Sequence, residues 1–183
     1  MPLTNLYFIA LLTPEDISRK IISIQKYVSE KYQSRHALKS PPHITLVPPF
    51  KYDGVSEKDF TDPLTKFFLR SSPFIIQLEG FRCFEKNRVV FINVVPNENL
   101  NRLFAELTDF VKNNLPIVLQ HQHSIFTPHI TIASRDLRKE MFGEAWTEFK
   151  EKTFQETWTA NSAFLLQHTG KEWTPVLEFV FKP

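Results

Sequence analysis

The chain has little glycine, a single cysteine and almost no net charge. Cys83 stands alone in 183 residues, so no intramolecular disulfide forms. One thiol with no partner is the usage of a reducing compartment, and a cytoplasmic setting is expected. Only 4 glycines are spread over the chain, and no low-complexity stretch or linker separates two units. The formal charge of +2 does not make a nucleic-acid binder by bulk electrostatics, although a local basic cleft stays open. No apolar run approaches the roughly 18 residues of a membrane span. The apolar stretch Leu6–Leu12 has no positive region before it and runs into Thr13-Pro14-Glu15-Asp16. It reads as a first strand rather than a signal peptide.

What is present is aromatic. There are 18 phenylalanines, and 42% of residues are hydrophobic against 23% charged, which is the balance of a soluble globular core. A short pattern also occurs twice. Pro42-His43-Ile44-Thr45-Leu46 and Pro128-His129-Ile130-Thr131-Ile132 both read Pro-His-Ile-Thr-aliphatic. On a strand, alternate side chains share a face. His43 and Thr45 then point one way, with Ile44 and Leu46 anchored behind. His129 and Thr131 repeat that arrangement over Ile130 and Ile132. Two imidazoles and two hydroxyls brought together suit attack on a phosphodiester.

The motifs sit in a longer repeat. Leu6–Leu12 is followed by Ile17, Ile21, Ile24, Val28 and Tyr32 at helical spacing. Thr13 is expected as the N-cap and Pro14 as the first helical residue. One constant shift carries Ile17, Ile21, Ile24 and Val28 onto Leu100, Phe104, Leu107 and Val111, and Phe8 onto Phe91. Strand, helix, loop and motif therefore follow in the same order twice, with Val89–Val95 as the second leading strand. Residues 1–183 are expected to form one bilobal domain with an internal duplication. Further expectations are a short helix in Ser56–Leu69 near Pro63 and a strand Phe74–Phe84 bent at Gly80. A helix is expected in Arg135–Lys152. A closing hairpin should join Thr157–Gln167 to Val176–Phe181 around His168-Thr169-Gly170-Lys171.

Paired His-x-Thr motifs in opposite halves of one chain resemble the 2H phosphoesterase superfamily, which includes bacterial 2′-5′ RNA ligase and cyclic phosphodiesterase proteins. The resemblance implies an α+β fold: two pseudo-symmetric lobes, each a mainly antiparallel sheet backed by helices, around a central cleft. It implies His43, Thr45, His129 and Thr131 as catalytic residues. It also implies a 2′,3′-cyclic phosphate as substrate, on an RNA end or a small nucleotide, with 2′-5′ RNA ligation as a reverse or side activity. The chain departs from many members after each motif, with Val47-Pro48-Pro49-Phe50 and with Ser134 before Arg135. Phe50 and Arg135 are the substrate-binding candidates.

Histidine suits proton transfer because its ordinary pKa lies near 6.5. One neutral ring takes a proton from water while a protonated one supplies the leaving oxygen. Thr45 and Thr131 can donate to the phosphoryl oxygens as charge gathers on them. This scheme calls for no metal and no cofactor. Neither a membrane nor an obligate protein partner is expected. A nucleotide- or RNA-binding module with little turnover, and a phosphodiesterase for another small cyclic phosphate, are the alternatives. His121-Gln122-His123 looks like a metal-ligand pair but has no partner motif. His36 and His168 are expected as solvated loop residues, and Cys83 as a packed thiol. Lys39 and Lys51 are expected as surface charges. Phe8 and Phe91 have faces suited to a base, with core packing the default.

Overall fold

The computed structural model describes residues 5–117, 119 and 126–182. Their strands are β1 (Leu6–Leu12), β2 (His43–Lys51), β3 (Phe74–Phe84), β4 (Val89–Val94), β5 (His129–Ala133), β6 (Gln155–Ala160), β7 (Ser162–His168) and β8 (Trp173–Val180). The helices are α1 (Glu15–Tyr32), α2 (Lys58–Phe68), α3 (Glu98–Asn114) and α4 (Lys139–Phe149). The strands form two antiparallel sheets, ordered β2-β1-β7-β8 and β5-β4-β3-β6. This is the expected α+β architecture of two similar lobes. No helix among the described residues is long and apolar enough to cross a membrane.

Each motif strand is an edge strand, and the two edges β2 and β5 touch in the middle of the molecule. The helices cross over: α1 packs on β5, and α3 packs on β2. α1 does so because Ile17, Ile21, Gln25, Val28 and Tyr32 fall on one buried stripe. On α3 the buried stripe is Leu100, Leu103, Leu107 and Val111. Phe104, expected in that stripe, is only half-buried, and Leu103 fills the core in its place.

Alternation sorts each sheet into two faces. Tyr7, Ile9 and Leu11 join the main core, whereas Phe8 and Ala10 turn to the other face with Leu166. Phe68 shows how aromatic that core is: it is fully buried between Phe179 and Phe181, with ring centroids 5.1 and 5.7 Å away. Truncating such a ring to alanine costs about 3–5 kcal/mol.

Several boundaries differ from expectation. Thr13 does not cap α1. Its amide continues the β1–β2 ladder by bonding the Pro42 carbonyl at 3.3 Å, and Pro14 becomes the cap residue, accepting from the Ser18 amide at 2.7 Å. Helix α2 continues through Pro63, and β3 does bend at Gly80, where φ is +64°. Helix α4 begins only at Lys139, because Ser134–Leu137 close a turn that buries Leu137. Thr157–Gln167 is not one strand. It breaks at Asn161, so that β6 pairs with β3 in one sheet and β7 pairs with β1 in the other. The hairpin β7–β8 stands as expected.

Candidate active site

His43 and Thr45 are both half-buried on β2, with Ile44 and Leu46 buried behind them. His129 and Thr131 are half-buried on β5, with Ile130 and Ile132 buried behind. The period of two thus turns both pairs to the cleft between the lobes. His43, Thr45 and Thr131 line a polar pocket of about 190 Å³. His129 and Thr45 line a larger pocket of about 520 Å³. Thr45 and Pro49 border both, so the two are parts of one cleft.

Each imidazole is oriented in the same way. His43 Nδ1 lies 2.7 Å from the Pro41 carbonyl oxygen, and His129 Nδ1 lies 2.7 Å from that of Thr127. A carbonyl only accepts, so Nδ1 carries the hydrogen in both rings. In the neutral ring, the basic lone pair is then on Nε2. An aromatic floor lies under each ring. Phe8 sits 4.9 Å from His43, and Phe91 sits 5.0 Å from His129, centroid to centroid. Trp173 braces Phe8 at 4.7 Å, and Phe84 meets both Phe91 at 4.4 Å and His129 at 5.1 Å. Phe8 and Phe91 are therefore neither loose base platforms nor anonymous core. The constant shift pairing them in the sequence was the signal for this matched role.

Burial pushes the His43 pKa down to about 4, outweighing its bond to the Pro41 carbonyl, with the nearby His129 lowering it further. His43 is thus neutral at pH 7.

The polar pocket continues to His36, Ser40, Ser134 and Arg135. Arg135 has φ +49°, a left-handed conformation that costs an L-residue roughly 1–2 kcal/mol. The next residue holds the turn in place. The Asp136 carboxylate accepts from the Arg35 and His36 amides, at 2.6 and 3.0 Å, and from the Ser34 hydroxyl at 2.8 Å. That clasp joins the loop after α1 to the turn after β5 and sets Arg135 at the pocket wall. His36 is not a solvated loop residue. It is half-buried, and burial together with Arg135 and Lys39 lowers its pKa against the pull of Asp136.

Phe50 is not at the site. It is fully buried against Tyr7 and Phe60. The register explains this: Phe50 pairs with Tyr7 and Thr45 with Ala10, and those partners face opposite ways on β1. Lys39 and Lys51 are exposed. His168 is half-buried with its ring 4.9 Å from Trp173, so it too is packed rather than solvated. Cys83 is half-buried, and burial and Glu85 raise its pKa, keeping the thiol protonated. His121-Gln122-His123 lie outside the described residues. Among the described residues, no three His, Cys, Asp or Glu side chains gather into a group that could hold a metal. Sequence reasoning missed Gln25, which reaches the polar pocket from α1, because its position fitted an ordinary helical stripe.

Residues 13–172 match the family model of the 2′-5′ RNA ligase superfamily. The chain belongs to that superfamily. Its similar relatives include two proteins provisionally named as phosphoesterases. One, from Geobacillus sp. strain WCH70, is 28% identical and aligns over 85% of this chain and 94% of its own. The other, from Geobacillus kaustophilus, is 29% identical over 95% of both chains. Among solved structures of similar fold, TT0787 of Thermus thermophilus superposes with a TM-score of 0.67 at 19% identity, covering 96% of this chain and 97% of that one. E. coli LigT, crystallised with 3′-AMP, also gives 0.67, at 18% identity over the whole of both chains.

Proposed function

We propose that this superfamily member is a phosphoesterase that hydrolyses 2′,3′-cyclic phosphates by two-histidine acid–base catalysis. The observation carrying this reading is the matched geometry of His43 and His129. Each ring has Nδ1 held by a backbone carbonyl, a phenylalanine beneath it and a threonine two residues on, and both border one cleft. The provisional phosphoesterase names of the relatives support the same reaction class. So does the 3′-AMP bound by LigT, which carries the ribose and phosphate that opening a cyclic phosphate leaves behind.

In the reaction, water oxygen bonds to phosphorus as one histidine Nε2 takes its proton. The bond from phosphorus to one ribose oxygen breaks, and the other histidine protonates that oxygen. Thr45 and Thr131 donate to the non-bridging oxygens as negative charge gathers there. Proton transfer at each histidine is worth about 10²–10⁴-fold. With a 5′-hydroxyl in place of water, the same steps in the same direction join RNA ends, and their reversal cleaves the joint back to the cyclic phosphate.

The test is turnover of nucleoside 2′,3′-cyclic phosphates and a short cyclic-phosphate-ended RNA in EDTA. Wild type should be active, with His43→Ala and His129→Ala each at least about 10²-fold slower while still folded. A folded, inactive wild type that still binds nucleotide would replace this reading with a binding module. Full activity in either variant would remove that histidine from the mechanism.

A further inference from the structure

The two sides of the cleft are chemically unlike. On the His129 side the pocket of about 520 Å³ is walled by Pro48, Phe84, Phe104, Leu119 and Phe126. That volume lies in the roughly 300–1,000 Å³ range of small-molecule sites. On the His43 side the pocket of about 190 Å³ is smaller and is lined by His36, Gln25 and Arg135.

Phe104 and Phe126 lie face to face, with centroids 3.8 Å apart and planes 6° from parallel. Both rings are half-buried at the pocket. Phe104 is also where the second half departs from the first. Its counterpart Ile21 is fully buried in the core, whereas α3 puts Leu103 in the core and places Phe104 at the cleft. One turn further along α3, the Thr108 side chain joins the same wall, and Asn87 faces it from the turn before β4.

We propose that this wall is a nucleobase platform: the base of the substrate stacks in the pocket beside His129, on the Phe104–Phe126 pair. Stacking is favourable for any base, because each has a π-face, and Thr108 and Asn87 supply hydrogen bonds to its edge. The ribose then lies between the platform and the reacting phosphate, on the His129 side. His129 protonates the ribose oxygen as its bond to phosphorus breaks. The nucleophile enters through the polar pocket, where His43 takes its proton. This inference rests on the phosphoesterase reading for its reacting phosphate, and the stacking site is tested apart from it.

The experiment compares equilibrium binding of 3′-AMP with that of a base-free ribose phosphate, for wild type, Phe104→Ala, Phe104→Leu and Phe104→Tyr. Turnover of adenosine 2′,3′-cyclic phosphate and ribose 2,3-cyclic phosphate is measured alongside. Wild type should prefer 3′-AMP by about tenfold or more. Phe104→Ala and Phe104→Leu should erase most of that preference while leaving base-free binding within about twofold, and Phe104→Tyr should keep it. The leucine variant retains apolar volume, so its loss reports on the flat ring rather than on folding. No preference in wild type, or equal weakening of both ligands in the variants, overturns the platform. Preference without turnover of either cyclic phosphate keeps the platform and fails the phosphoesterase reading. Turnover without preference does the reverse.

Discussion

Gln25 on α1 donates from Nε2 to the Thr131 carbonyl on β5, 3.0 Å away. The side chain is buried, and its Oε1 has no hydrogen-bond partner among the described residues. Replacing it with leucine, of similar volume, removes a useful donor and an unsatisfied acceptor together. Those effects, about 0.5–1.5 and 1–3 kcal/mol, act in opposite directions. Gln25→Leu should therefore melt close to wild type yet turn over about tenfold more slowly, because Thr131 loses its brace. Unchanged turnover would show that the brace has no part in catalysis.

The Asp136 clasp gives a different expectation. Asp136→Ala strips the acceptor from the Arg35 and His36 amides and the Ser34 hydroxyl. A loss of about 1–3 kcal/mol in urea unfolding is expected. Hydrogen exchange at the Arg35 and His36 amides should accelerate more than in either sheet. Uniform acceleration instead would mean that the clasp is not local.

Acid should destabilise the fold in two windows. An unfolded His43 takes its proton near pH 6.5, and the folded one only near 4. Between these values the unfolded chain binds more protons, so stability falls as pH drops, by up to about 1.4 kcal/mol per pH unit. For Glu148, burial raises the pKa. Hydrogen bonds from Lys152, Lys31, Tyr32 and Tyr27 outweigh that and hold the carboxyl well below its usual range. Its contribution is present above pH 4.5 and lost below it. Urea titrations should show His43→Gln flattening the upper window and Glu148→Gln the lower one. Identical pH slopes in wild type and both variants would contradict these assignments.

With His43 as the base, the acid limb of kcat/KM should lie well below neutrality, falling only as the pH nears 4. Bound phosphate favours the charged ring, so the acid limb of kcat should lie higher. An acid limb of kcat/KM at or above pH 6.5 would exclude His43 from that role.

The motif pairs, their strands and both long helices were legible because period and composition agree there. Phe50 was legible in principle, since it shares parity with Ile44 and Leu46 on β2; aromatic character drew attention away from its face. The break at Asn161 was hidden because residues on both sides of it have strand-forming character, and only sheet pairing separates β6 from β7. Phe104 has the spacing of a core residue, and a neighbour one position earlier took that place. The Asp136 clasp joins residues far apart in the chain, so nothing local announces it.

The crossing at Asn161 also orders events during synthesis. The sheet bearing His129 has all its strands once β6 has emerged. The sheet bearing His43 then still lacks β7 and β8, although β7 is its central partner for β1. Until β7 has emerged, β1 exposes an unpaired edge open to pairing with other chains. The two sheets therefore gain their full sets of strands at different points of synthesis, the one bearing His129 first.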